Sequence, residues 1–200
     1  MQTLVLARET AGHVTAVDRH QPFLDELDRR TARNGLTDRI TTLNASMSAL
    51  DFPDATFDLI WSEAAIYIMG FAEGLGAWKR LLKRNGAIAV TEISWLQPNI
   101  PEEAARFWRQ GYPAMTDVDT NLRTIESLGY APIDHFVLPE TDWWDHYYEP
   151  LERRLDALRR ECKDDREAMA FLDDARIEMS LYRKYAGSYG YVFYIARSTG

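Results

Sequence analysis

Cysteine is nearly absent from this 200-residue chain. Cys162 stands alone, which excludes an intrachain disulfide and a cysteine-based zinc cluster. Long apolar runs are absent too. No stretch approaches the roughly 20 residues needed to cross a bilayer, and Arg8 and Glu9 interrupt the opening segment too early for a signal-peptide core. Basic charge is outweighed: 23 Lys and Arg face 31 Asp and Glu, a net charge of −8. An acidic domain repels phosphate backbones, so no nucleic-acid partner is expected, and no membrane partner either. No metal-ligand spacing, phosphate loop or catalytic triad is visible. What remains is 46% hydrophobic residues, with aromatics at 12% including six Trp. That is enough apolar surface to bury a core. The length suits one α/β domain over 1–200, and the expected setting is the reducing cytoplasm.

The chain opens on a helical pattern over Met1 to Arg8, closed by Gly12. Val14-Thr15-Ala16-Val17-Asp18 reads as a buried parallel strand. Pro22 starts a second helix that Asn34-Gly35 ends. Ile40 to Leu43 and Phe57 to Ser62 read as further strands. Phe71 to Leu82 reads as a helix, with Lys83-Arg84-Asn85-Gly86 as its basic last turn. Ala87 to Ile93 is the most strand-like run. Alternating strands and helices imply a mostly parallel, doubly wound sheet. Later come helices over Pro101 to Tyr112 and Asn121 to Leu128, a short strand at Phe136-Val137-Leu138, and a last strand from Tyr191 to Ala196. About 50 mostly helical residues separate those two strands, a length that calls for its own structure and often a function.

In open α/β sheets, ligands bind beyond the carboxyl ends of the strands. Asp18 ends the first strand. Its two oxygens suit the two hydroxyls of a cofactor ribose, or equally a cap on the helix near Pro22. Ser46 and Met47 follow the second strand and suit an adenine ring, or an ordinary loop. Ser62, Glu63 and Tyr67 follow the third, while Glu92, Ser94 and Trp95 close the fourth.

The runs Val14 to Asp18, Asn44-Ala45-Ser46-Met47, Phe57 to Glu63 and Leu81 to Ala87, in this order and spacing, resemble a class I S-adenosylmethionine-dependent methyltransferase. The small-molecule enzymes of ubiquinone and menaquinone biosynthesis are the most similar type. The resemblance implies a Rossmann-like doubly wound sheet and S-adenosylmethionine as cofactor. It implies contacts to that cofactor from Gln2, Thr3, Asp18, Arg19, Ala45, Ser46, Met47, Ser62 and Glu63. One departure is large: the family's first strand and its D-x-G-x-G-x-G loop have no counterpart, and Met1 stands where the following helix begins. The chain therefore reads as N-terminally truncated, and it is expected to aggregate readily and to hold the cofactor weakly.

Two helical additions, 98–116 and 141–187, read as a lid over an acceptor site, with Glu92, Trp95, Trp143, Tyr147 and Tyr182 as acceptor-pocket residues. Glu63, Tyr67 and His146 are candidate catalytic groups, since methyl transfer needs a positioned acceptor and at times a base. Each aromatic could equally pack the core, and Glu63 could equally be a helix-start acid. The expected reaction is methyl transfer to a small-molecule acceptor. A non-catalytic remnant acting as a binding module, and a dinucleotide oxidoreductase using Asp18, are the alternatives. Exposed edges and acidic charge allow a homodimer.

Overall fold

A computed structural model describes residues 2–199. They divide into two compact units, through Pro53 and from Asp54, where the sequence reads as one domain.

The first unit holds α1 (Gln2–Glu9), β1 (Val14–Asp18), α2 (Gln21–Arg33) and β2 (Ile40–Asn44). β1 and β2 pair in parallel, from Val14 opposite Ile40 to Asp18 opposite Asn44. Leu4, Ala7 and Ile40 form the core, with Val14, Leu27 and Leu36 packed against them. The Arg39 guanidinium donates to the carbonyls of Thr10 and Gly12 and so ties the α1–β1 turn to the start of β2. Pro22 sits in the first turn of α2, where its missing N–H costs nothing. β1 is half-buried along its whole length rather than buried as the apolar run suggests, because only β2 pairs with it among the described residues.

The second unit carries a sheet of β3 (Phe57–Ser62), β4 (Leu82–Trp95), β7 (Tyr189–Ser198) and β6 (Tyr130–Val137), in the order β3-β4-β7-β6. The short β5 (Thr116–Asp117) adds to β4. β3 runs parallel to β4, but β7 is antiparallel to both neighbours, so the longest ladders are antiparallel. The expected parallel character therefore holds for β1–β2, β3–β4 and β4–β5 only. A 3-10 turn (Ile66–Ile68) and α3 (Phe71–Lys79) join β3 to β4. The expected basic helix turn is not helical: α3 stops at Lys79, and residues 82–86 already belong to β4. The reason is pairing. Leu82 lies opposite Phe57, and the ladder then shifts register. Asn85 takes a φ of 61° there, and a Cβ on Gly86 would come within 2.9 Å of the Lys83 carbonyl oxygen. Such a close approach is a reason for glycine at a bulge.

Side chains alternate across β4. Val90, Glu92 and Ser94 share the face on which Phe71 of α3 meets the Tyr194 ring at 5.6 Å. There α5 (Val118–Ser127) sends the Asn121 amide to Ser94 Oγ at 3.1 Å and to the Tyr194 hydroxyl at 3.2 Å. Ser94 Oγ and the Tyr194 hydroxyl are themselves 2.8 Å apart. All three groups are buried, so Asn121→Leu removes a buried donor shared by two oxygens that are left only with each other and the Glu92 carbonyl. We expect it to lower stability by about 1–3 kcal/mol in urea denaturation; an unchanged midpoint would contradict the network.

The opposite face carries Ile93, Trp95 and Tyr189 into a second core. It is built by α4 (Glu102–Gly111), α6 (Glu140–Trp143), a π-helical turn (Trp144–Tyr148), α7 (Glu149–Glu161) and α8 (Arg166–Tyr185). Leu155, Leu172, Ala175 and Met179, read above as helix stripes, are all buried. Asp165 caps α8 by accepting from the amides of Glu167 and Ala168. Glu103 on α4 accepts from Lys184 Nζ at 2.6 Å and from the Tyr185 hydroxyl at 2.8 Å, which links α4 to α8. The insertion between β6 and β7 thus packs on this face of the sheet through a core it shares with β4, β7 and α4. Among the described residues no helix is long and apolar enough to cross a membrane.

Candidate active site

In the first unit a groove of about 320 Å³ opens between α1, β1 and α2. Its walls mix apolar side chains, from Leu4, Ala16, Val17, Phe23, Leu24 and Leu27, with the charged Glu26 and Arg30. Thr3 and Asp18 stand on it, so two of the expected cofactor residues are brought together. Asp18 does not cap α2: the N-cap is His20, and it makes no side-chain cap. Instead Asp18 Oδ1 accepts from the His20 amide at 2.7 Å. That bond fixes the carboxylate, while Oδ2 makes none among the described residues. The Ala45 amide donates to the Asp18 carbonyl at 3.1 Å. The loop bearing Ser46 and Met47 therefore leaves from beside Asp18. Ser46 Oγ is held by the Ser48 hydroxyl at 2.8 Å. Gln2 and Arg19 are exposed and do not line the groove.

In the second unit Ser62 and Glu63 end β3. The Trp61 indole N–H donates to Glu63 Oε1 at 2.6 Å, which holds that carboxylate in place. Ala64 turns the chain with a φ of 47°, and its amide donates to Thr91 Oγ1 at 2.7 Å. Tyr67 follows on the 3-10 turn, its ring edge-on to Tyr112 with centroids 6.1 Å apart. His146 and Tyr147 lie exposed on the π-helical turn.

Glu92 is 2% exposed, and neither carboxylate oxygen has a hydrogen-bond partner among the described residues. Burial pushes its pKa up to about 7, and the Tyr112 hydroxyl beside it offsets only part of the rise. Desolvation opposes the charged form, and no cation compensates. Trp95, Trp143 and Tyr182 fall together in the second core, where Trp143 stacks on Tyr182 at 4.5 Å, on Tyr191 at 4.8 Å and on Tyr148 at 5.4 Å. Its ring faces are thus taken by tyrosines. Trp143 Nε1 is buried without a hydrogen-bond partner among the described residues.

Sequence reasoning missed Glu178 on α8. The Tyr148 hydroxyl donates to its Oε1 at 2.7 Å, and burial raises its pKa. One signal was available: Glu178 borders the Leu172-Ala175-Met179 stripe, a place where a helical acid lies half inside. Tyr191 was read only as a strand residue. It too is raised by burial, and the Glu92 and Glu178 carboxylates and the Tyr67 and Tyr147 hydroxyls all lie within its electrostatic reach. Among the described residues no group of three or more His, Cys, Asp or Glu could hold a metal ion.

Comparison with known proteins gives the frame for these features. A family model described as a methyltransferase domain matches residues 1–86. The chain is similar to sterol 24-C-methyltransferase erg-4 of Neurospora crassa, with 22% identity over 160 residues, covering 75% of this chain and 42% of that protein. It is likewise 23% identical to sterol 24-C-methyltransferase ERG6B of Gibberella zeae over 68% of this chain and 38% of the relative. The chain thus spans about two-fifths of the length of these curated relatives. Among solved structures, an S-adenosylmethionine-dependent methyltransferase from Geobacter sulfurreducens, in complex with S-adenosyl-L-homocysteine, shares the fold with a TM-score of 0.74 at 21% identity, over 96% of this chain and 78% of that one. The [4+2]-cyclase SpnF shares it with a TM-score of 0.76 at 22% identity, over 98% and 70%. Fold alone therefore does not name a reaction. The matched domain model over the first 86 residues, the related sequences and the shared fold agree: this chain is similar to S-adenosylmethionine-dependent methyltransferases.

Proposed function

We propose that the chain takes part in methyl transfer from S-adenosylmethionine to a small-molecule acceptor. Asp18 carries this reading: one oxygen is fixed by the His20 amide and the other is free on the groove that Thr3 also lines. A fixed carboxylate with open acceptor capacity suits a ribose diol, and the apolar walls suit the rest of an adenosine group. Thr3 lies in the first turn of α1 and lines the same groove. Met47 and Ser46 would cover the adenine. When bound, the cofactor supplies an electrophilic methyl group. The protein's own residues bind, orient and exclude water.

For the acceptor, Glu92, Tyr67 and Tyr147 supply the polar groups. The helical additions serve as a lid, a role supported by their aromatic packing against β4 and β7. Glu63, held by Trp61, is a positioned carboxylate; His146 would reach an acceptor only from the exposed π-helical turn. The net charge of −8 supports a small acceptor over nucleic acid, and the single Cys supports a cytoplasmic setting. Exposed Ile133, Phe136 and Val137 on the edge strand β6 support a homodimer.

Calorimetric titration with S-adenosylhomocysteine tests the cofactor assignment. Asp18→Ala is expected to weaken binding about tenfold, the size of one lost charge-assisted contact pair, while NAD gives no heat with either protein. Equal affinity of the two proteins for S-adenosylhomocysteine would remove Asp18 from the site.

A further inference from the structure

The sheet of the second unit is bordered by β6 and β3, and among the described residues no strand pairs with the outer side of either. The two borders differ. β6 is guarded. Pro132 has no N–H to donate, the ladder shifts register between Pro132 and Asp134, and the His135 amide donates to Asp134 Oδ1 at 2.8 Å. Proline, bulges and charge are the devices that keep an edge strand from pairing with another chain. β3 lacks them. It has no proline, and the extra residues of its register shift belong to β4. Its one charged side chain, Asp58, is neutralised by Lys83 Nζ at 2.7 Å. Leu59 and Trp61 are apolar and still 40% and 39% exposed. They share the sheet face of Ala87 and Ala89, where the Trp61 ring meets Phe193 at 4.9 Å. The opposite face carries Asp58, Ile60 and Ser62.

An open, unguarded edge takes up another strand. The residues of β3 name the occupant, because they complement themselves. We propose that two copies of this chain join through β3, antiparallel, with Ile60 of each copy opposite Ile60 of the other. A twofold axis normal to the sheet keeps each face on its own side, so the register moves only in steps of two residues. In this register Leu59 of each copy meets Trp61 of the other on one face. On the opposite face Asp58 meets Ser62, whose hydroxyl donates to it. A shift of two residues either way sets Ile60 against Asp58 or against Ser62, an apolar group against a polar one. Directly opposed Cβ atoms lie ~4.5–5.5 Å apart, so these pairs touch. No like charges meet at the axis, since Asp58 is already paired with Lys83 in its own copy. The pairing uses up the one unguarded border of this sheet, so the assembly closes at two. The inference rests on the homodimer reading above and moves its seat from β6 to β3. Six paired residues make a small contact, and a dissociation constant of about 1–100 µM is expected.

Sedimentation velocity of the full chain, at concentrations that span this range, tests the proposal. Monomer is expected to pass into dimer with no larger species. Leu59→Asp, checked for folding by near-ultraviolet circular dichroism, sets a carboxylate against the Trp61 ring of the other copy. It is expected to weaken association about tenfold or more, whereas Ile133→Asp on β6 leaves it unchanged. Cysteine substitution reads the register directly. In a Cys162→Ser background, Ile60→Cys is expected to form a disulfide between copies under mild oxidation, and Phe136→Cys on β6 is not. A chain that stays monomeric throughout overturns both the homodimer reading and its seat on β3. A dimer that withstands Leu59→Asp but yields to Ile133→Asp keeps the homodimer and refutes β3 alone. Growth into larger species, or an Ile60→Cys protein that dimerises without cross-linking, would also overturn the proposed pairing.

Discussion

Glu92→Gln is expected to stabilise the protein by about 3 kcal/mol at pH 8 and to leave its stability unchanged at pH 4. The carboxyl has an ordinary pKa of 4.5 and is raised to about 7 in the fold, chiefly by burial. The folded state therefore holds this proton more tightly than the unfolded one. The sign follows from linkage. Below pH 4.5 the group is protonated in both states and costs nothing as a charge. Between 4.5 and about 7 it must stay protonated when folded, or ionise inside, and stability falls. Above about 7 the penalty is constant. The gap, at ~1.36 kcal/mol per pH unit, corresponds to about 3 kcal/mol. The titratable groups that face Glu92 are the hydroxyls of Tyr112, Tyr191 and Tyr194, none of them cationic. Glutamine keeps the shape and removes the charge. Urea unfolding of both proteins across this pH range checks the claim, and parallel pH profiles would refute it.

Trp143→Ala should cost about 3–5 kcal/mol, as expected for truncating a buried tryptophan. Trp143 is 6% exposed, and tyrosines from the π-helical turn, α8 and β7 stack on it. Such stacked pairs contribute beyond area burial. The indole is therefore a joint between the insertion and the sheet. Its loss is expected to lower hydrogen-exchange protection in α6 to α8 well before the β3–β4 ladder opens. A cost under about 1 kcal/mol, or uniform loosening of all elements, would mean that the insertion is held elsewhere.

The period of apolar residues made most elements readable. Val14–Asp18 and Phe57–Ser62 are strands with the boundaries expected from the sequence, because β-branched and aromatic residues there are bracketed by turn formers. The helices of the insertion were legible from Leu155 and from the Leu172-Ala175-Met179 stripe. The Leu82 to Gly86 segment was not. Its charged residues suit a helix end locally, and only pairing with Phe57 makes it strand. Propensity is a weak prior that such pairing overrides. The alternation of β7 with two antiparallel neighbours was hidden for a related reason: strand direction depends on where a long connection returns, and composition does not encode that.

Of the site, the sequence by itself determined the acids at strand ends, Asp18, Glu63 and Glu92, because an acid closing an apolar run is conspicuous. It also determined the aromatic richness of the insertion and the acidic net charge. Tertiary structure alone decided what those residues do. It fixed one oxygen of Asp18, set Trp61 on Glu63, and buried Glu92 with the Tyr112 hydroxyl beside it and no cation. It also placed Glu178 of α8 on the Tyr148 hydroxyl. The physical reason is that a carboxyl's chemistry is set by solvent exclusion and by neighbours distant in sequence, and both exist only after the chain has folded.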